Sequence, residues 1–142
     1  MSEENIIQID NGAVRYKVGQ AWSRNSIEVV RSINLQIRSG ETLGLVGESG
    51  SGKTTIGRLC LGLVQPSQGE VKFQGGIMSR DRNQLKGKLS AVLQHPDWSL
   101  NPRIRAFSSV VEPMLVLGIG TAAERKTKVS EMLELVGLDP SL

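Results

Sequence analysis

Two stretches near the amino terminus, residues 6–16 and 27–37, combine apolar and polar positions in the manner of strands. In the second stretch, the apolar residues of an alternating pattern are Val29, Ile33, Leu35 and Ile37, and this alternation is broken at Val30. Strict alternation is typical of an antiparallel strand with one face in solvent. We therefore predict two antiparallel strands, separated by the polar residues 17–26.

A different pattern follows, in which a short apolar run leads into a loop and a helix. Residues 42–46 read TLGLV, which favours a strand buried on both faces of a sheet. A glycine-rich loop comes next, and apolar residues then recur at helical spacing over residues 53–64. Pro66 marks the end of this helix. The predicted order is strand, loop, helix.

The rest of the chain predicts two further strands, residues 70–74 and 89–93, and two helices. The first helix covers residues 107–114, where Pro113 should kink or delay it. The second begins at a capping box formed by Thr121 and Glu124 and ends at Gly137, with Pro140 beyond it.

Composition sets limits on the protein class. A chain of 142 residues with a net charge of +3 is one domain in length, and it favours neither a nucleic-acid surface nor a disordered tail. Its longest apolar run, residues 114–120, is far short of a membrane span, and acidic residues near the start argue against an export signal. Cys60 is interpreted as a small core side chain.

The strongest chemical signal is the eight-residue match to G-x-x-x-x-G-K-[ST], which reads Gly47-Glu48-Ser49-Gly50-Ser51-Gly52-Lys53-Thr54. Glycines allow consecutive N–H groups to point inward around an anion, and Lys53 would neutralise the β- and γ-phosphates. The Thr54 hydroxyl suits Mg²⁺. A chance match has a probability of roughly 0.01. The motif predicts a nucleoside triphosphate, and the alternative is a Gly/Ser turn with a solvated lysine.

These features resemble the ATP-binding subunits of ABC transporters, in the branch that serves oligopeptide, dipeptide and nickel importers. The similar segments are GETLGLVGESGSGKTT over residues 40–55, Leu93-Gln94, and SLNPR over residues 99–103. The resemblance implies an α/β fold with a P-loop NTPase core of ABC ATPase type. Residues 1–94 would form an antiparallel subsheet with the P-loop strand and helix, and residues 95–142 the Q-loop and the start of a helical subdomain.

The resemblance also implies roles for single residues. Gln94 is similar to the Q-loop glutamine, which reaches Mg²⁺ and the attacking water, so that Gln94 and Lys53 would be catalytic and Gln94 and Thr54 would face the metal. Tyr16 resembles the aromatic that stacks on adenine, with Trp22 as a competing candidate. The implied nucleotide contacts comprise Tyr16, Gly47, Glu48, Ser49, Gly50, Ser51, Gly52, Lys53, Thr54 and Thr55.

Plainer interpretations stay open for these residues. Gln94 is equally a polar residue at the end of a strand, and Tyr16 an ordinary strand aromatic. His95 stands where the branch usually has an acidic or amide residue. Trp98 lies in the region with which relatives dock a membrane subunit, although a buried tryptophan is an alternative.

Two family motifs are not found in the 142 residues: a strand ending in consecutive acids, known as Walker B, and the LSGGQ signature. We therefore expect a cassette truncated before both motifs, which binds MgATP without efficient hydrolysis and leaves apolar sheet surface exposed. The implied partners are transmembrane permease subunits and a second ABC ATPase subunit, with no nucleic acid. The implied location is the cytoplasmic face of the membrane, without a membrane span.

Two alternatives to a transport ATPase remain at this point. The chain could be a non-catalytic module that binds a nucleotide or a partner without turnover. A small P-loop kinase is the weaker alternative, because such enzymes usually carry the P-loop on their first strand, whereas two strand-like stretches precede it here.

Overall fold

The computed structural model describes residues 5–19, 25–79, 81, 83–92 and 101–141. Its backbone forms two compact units, Met1–Leu85 and Lys86–Leu142. Among the described residues, the first unit contains a sheet, one α-helix and the short 3₁₀ helix Asn83–Leu85, and the second contains two α-helices. The division after residue 94 that the sequence suggested stays a prediction.

The first unit is built on a four-stranded antiparallel sheet in the order β2-β1-β3-β4. The strands are β1 (Asn5–Lys17), β2 (Ser26–Arg38), β3 (Gln68–Phe73) and β4 (Gly76–Ile77). Both amino-terminal strands and the strand near residue 70 were predicted from alternation. The two-residue β4 was not, because its glycine-rich surroundings indicate a turn.

The core of this unit lies between one face of the sheet and helix α1 (Lys53–Cys60). Ile9 and Leu59 are both 0% exposed. The helix is shorter than predicted, because the Gly62 backbone turns left-handed at φ 63° and ends the helical path before residue 64. The buried apolar side chains of the unit are Ile7, Ile9, Ala13, Val14, Val30, Leu59, Val71, Phe73, Met78 and Leu85.

The polar face of β1 and β3 carries a cluster of paired charges. Lys72 Nζ lies 3.0 Å from Asp10 Oδ2 and 2.6 Å from Glu70 Oε1. Gln8 Nε2 donates to both carboxylate oxygens of Asp10 at 2.9 Å. The Gln8 and Lys72 hydrogen bonds lower the pKa of Asp10, and those of Glu70 and Asp10 raise the pKa of Lys72. The cluster therefore favours the charged form of both groups.

The apolar run at residues 42–46, predicted to be a buried strand, forms no strand in the structure. Leu43 and Leu45 are partly exposed, and Val46 is 98% exposed. In the strand predicted over residues 89–93, the described residues 89–92 also lack regular structure, and Val92 is 97% exposed. A strand buried on both faces needs neighbouring strands, and the described residues supply none beside either segment. The expected exposed apolar surface concerned the sheet itself, whereas the exposed apolar side chains of these two segments lie on backbone that forms no strand.

The second unit contains helices α2 (Ala106–Leu117) and α3 (Ala122–Leu135), close to the predicted positions. Helix α2 starts at Ala106, one residue before the predicted start, and continues past Pro113, so the proline does not delay the helix. Val129 and Leu133 of α3 are buried.

The capping box at the start of α3 is confirmed. Thr121 N donates to Glu124 Oε2 at 2.6 Å, and Glu124 N donates to Thr121 Oγ1 at 3.3 Å. The hydrogen bond that Thr121 N donates to the Glu124 carboxylate is the main cause that lowers the pKa of Glu124. Gly137 follows the helix with φ 76°, the left-handed geometry expected where a helix stops.

A candidate phosphate-binding loop

Residues 47–52 form the loop that leads into α1, and its last residue is fixed by the sheet. Gly52 is the N-cap of α1 and has φ 92°. A Cβ atom at this position would lie 2.9 Å from the Val29 carbonyl oxygen on β2. Both the left-handed backbone and this close approach require glycine. The glycine before the lysine in the motif therefore has a steric reason on this chain.

The Lys53 ammonium lies across the loop. Its Nζ donates to the carbonyl oxygens of Gly47 at 2.8 Å and Glu48 at 2.6 Å, with Ser51 Oγ at 3.4 Å. The loop is closed on itself by Ser51 N, which donates to the Glu48 carbonyl oxygen at 3.2 Å. One positive charge is thus held by the curved backbone of the motif.

The first turn of α1 adds backbone donors beside this charge. Ile56 N donates to the Gly52 carbonyl oxygen at 2.9 Å. The amides of Lys53, Thr54 and Thr55 precede this hydrogen bond, at the end of the helix where N–H groups lack intrahelical acceptors. These groups and the positive end of the helix dipole favour a bound anion. The lysine, the amides and the dipole together suit a polyphosphate.

The two threonines of the motif differ in exposure. Thr55 is buried against the core, whereas Thr54 is exposed. A free hydroxyl oxygen at Thr54 suits Mg²⁺, which prefers oxygen ligands and binds together with nucleotide phosphates. The residues present therefore fit MgATP, with Thr54 as the side chain that would face the metal.

The other predicted site residues, Tyr16 and Gln94, lie outside the motif at residues 47–55. Tyr16 lies near the end of β1 opposite Ile27, and its side chain is 37% exposed. Its ring is accessible, as stacking on a base requires, but its role as the adenine contact stays a prediction. Gln94, His95, Trp98 and Trp22 lie outside the described residues, so the catalytic and metal-facing roles of Gln94 stay predictions.

Sequence reasoning missed the contact between β2 and the loop. The signal was present as the break in alternation at Val30, which lies between two register shifts of β2 against β1, one at Gly12/Val14 and one at Val14/Arg15. Val14 pairs with Val30 while Arg15 pairs with Glu28, so Val29 is the extra residue. A break in the alternation of a strand can predict a bulge, but it does not predict which other element the bulge contacts.

The fold and the loop define the class: an α/β protein with a phosphate-binding loop and the architecture of an ABC ATPase cassette. Two dimeric structures of one bacterial ABC transporter cassette are similar to the chain, with TM-scores of 0.75 and 0.74 at 28% and 26% identity. One of them holds ADP and inorganic phosphate. In both, 94% of the chain aligns with 58% of the cassette. A protein of Clostridium perfringens that is part of an ABC transporter complex has a similar fold, with a TM-score of 0.71 at 22% identity over 96% of the chain and 52% of that protein.

Sequence comparison assigns the family. The model of the ABC transporter family matches residues 30–141. A protein of Brucella abortus, named as a peptide import ATP-binding protein, is 39% identical over 98% of the chain, and one of Brucella ovis with the same description is 34% identical over 99%. The chain belongs to the ABC transporter family, which disfavours the kinase alternative. It spans 44% of the length of these two relatives.

In the part of the chain that the structure describes, no helix has the length and apolar character of a membrane span.

Proposed function

We propose that this chain is the nucleotide-binding part of an ATP-binding subunit of an ABC importer, and that residues 47–55 bind the phosphates of MgATP. The observation that carries the proposal is the Lys53 ammonium, held 2.8 Å from the Gly47 carbonyl oxygen beside the amides of the first turn of α1. A lysine and a helix amino terminus at one place form an anion site. Membership of the ABC transporter family supports ATP as the anion.

The 142 residues bind MgATP without efficient hydrolysis, since binding and hydrolysis need different groups. Lys53, the loop amides and Thr54 suffice to hold phosphates and face Mg²⁺. Hydrolysis also needs an acidic residue on the metal and a group that orients water. The printed sequence contains neither a strand ending in consecutive acids nor an LSGGQ segment.

The proposed cargo is a peptide. This rests on the names of the Brucella relatives, with the oligopeptide, dipeptide and nickel branch implied by the SLNPR segment. The proposed partners are transmembrane permease subunits and a second ABC ATPase subunit. With these partners, the protein would lie at the cytoplasmic face of the membrane.

A titration of the chain with MgATP tests the phosphate site. Lys53→Ala is expected to weaken binding by at least tenfold, because it removes a charge-assisted contact of about 1.5–3 kcal/mol. Lys128→Ala is the matched control, since Lys128 is an exposed lysine paired with Glu131 on α3. Equal affinity in both variants would contradict the assignment.

Turnover is measured in the same samples. We expect phosphate release at the buffer background for wild type and for Lys53→Ala. Steady-state release above background that disappears in Lys53→Ala would refute the non-hydrolysing part of the proposal and leave the binding site intact.

A further inference from the structure

The bulge in β2 faces the phosphate-binding loop. Moving one residue along β1, from Val14 to Arg15, moves the pairing by two residues along β2, from Val30 to Glu28. Val29 is therefore the extra residue of a β-bulge. Bulges bend a strand and redirect its groups, and they are found beside functional sites.

Two groups of this bulge occupy the space beside the same glycine, where a side chain would otherwise lie. The position that a Cβ atom would take on Gly52 lies 2.9 Å from the Val29 carbonyl oxygen and 3.3 Å from Val30 Cγ2. Gly52 is itself buried, and Val30 is 3% exposed. The bulge thus meets the loop through one backbone oxygen and one methyl group, with no space between them for a side chain.

The contact falls where the loop becomes a helix. Gly52 is the N-cap of α1, and Lys53 is the first residue of the helix. Any shift of Gly52 therefore moves the Lys53 side chain and the first-turn amides together. Anion binding by backbone amides depends on their direction, so a displacement at this point affects binding more than it affects packing elsewhere.

We propose that Val30, together with the bulge at Val29, is a positioning residue for the phosphate-binding loop. This inference rests on the proposed function, since it assigns to the antiparallel sheet the task of orienting the MgATP site. Val30 does not touch the nucleotide. Its methyl group fixes Gly52, and Gly52 fixes the direction of the amides that bind phosphate.

Val14 provides a matched control. It is the cross-strand partner of Val30 on β1 and is 1% exposed, so Val14→Ala and Val30→Ala remove the same atoms from the same core. Apart from the chain neighbours of Gly52, the atoms nearest to the position of a Cβ on this glycine belong to Val29 and Val30. If Val30 only fills the core, the two variants should behave alike in every measurement.

The test compares both variants by urea unfolding and by MgATP titration under conditions where each is folded. Similar losses of stability are expected. Val30→Ala should raise the Kd for MgATP about tenfold, whereas Val14→Ala should change it by less than about twofold. Val30→Ile, which keeps both branches at Cβ, should restore the wild-type Kd. Equal Kd values for the two alanine variants would overturn the proposal.

A second readout separates this inference from the proposed function. In ¹H–¹⁵N spectra without nucleotide, Val30→Ala should shift the amides of Gly52 and Lys53, and Val14→Ala should leave them in place. Shifts of equal size in both variants would overturn the positioning role. If wild type binds no MgATP while Val30→Ala alone shifts these amides, the proposed function fails and the positioning of the loop stands.

Discussion

Strand β1 and the apolar segment at residues 42–46 have similar strand-forming sequences and opposite outcomes. Ile9 of β1 is 0% exposed and lies between two paired strands, whereas Val46 is 98% exposed in a segment without pairing. Apolar, β-branched composition is therefore not sufficient for a strand. A segment becomes a buried strand only where neighbours supply hydrogen bonds and cover both faces.

The two ends of the candidate phosphate-binding loop differ in the same way. The Gly52 end of the loop is held by the bulge of β2, while the Gly47 end continues from the unpaired segment. Lys53 bridges the two ends by donating to the Gly47 carbonyl oxygen. The sheet therefore orders one side of the loop directly and the other through a lysine.

Alanine substitution should separate the two strand-like segments most clearly. Ile9→Ala is expected to lower the free energy of unfolding by about 2–5 kcal/mol, because it opens a cavity in the core. Val46→Ala should change it by less than about 0.5 kcal/mol, as at an exposed surface position. Urea unfolding followed by circular dichroism measures both. A loss above about 2 kcal/mol for Val46→Ala would mean that this segment is buried.

Alanine at two glycines tests whether the sheet fixes the loop. Gly52→Ala should destabilise the fold by about 1–3 kcal/mol, since the new Cβ meets the Val29 carbonyl oxygen and φ is positive. Gly57→Ala, inside α1 with open space around its Cβ position, should stabilise by about 0.5–1 kcal/mol. Thermal unfolding gives the sign of each change. A neutral Gly52→Ala would break the account of the bulge.

The capping box of α3 predicts a smaller effect in the second unit. Thr121→Ala should cost about 1 kcal/mol, because Glu124 N loses its acceptor. Thr127→Ala is the control, as Thr127 lies mid-helix and donates to the Ala123 carbonyl oxygen at 3.2 Å. It should be neutral or slightly stabilising, because alanine has the higher helix propensity. Urea unfolding, followed by the circular dichroism signal of the helices, measures both changes. Similar losses of unfolding free energy in the two variants would contradict the role of Thr121 as a cap.

The charged cluster on the sheet predicts a weak dependence of stability on pH. The pKa of Asp10 is lowered by folding, so its contribution is present above the ordinary value of 3.8 and is lost as pH falls below it. The pKa of Lys72 is raised, so its contribution is present below 10.5 and is lost as pH rises above it. Asp10→Asn should flatten the acid limb of the urea midpoint against pH. An unchanged acid limb would show that the pair is uncoupled from folding.

Much of this molecule was accessible from sequence, for reasons that differ by element. Alternation in β1 and β2 and the capping box at Thr121 are local signals, and local structure follows them. The P-loop motif predicted Lys53 as a phosphate-binding residue, because this spacing of glycines and lysine rarely occurs by chance. The segment at 42–46 could not be predicted, since its state depends on neighbours rather than on its own residues. The contact of Val30 with Gly52 joins distant positions, which periodicity does not encode.

An NMR titration that monitors the loop amides while ATP is added tests directly whether residues 47–55 bind phosphate. In ¹H–¹⁵N spectra of the 142-residue chain with Mg²⁺, we expect ATP to produce its largest shifts at the amides of residues 50–55. Inorganic pyrophosphate should shift the same amides, because the loop recognises phosphates. Spectra in which these amides stay in place, or in which the largest shifts fall elsewhere, would contradict a phosphate site at this loop.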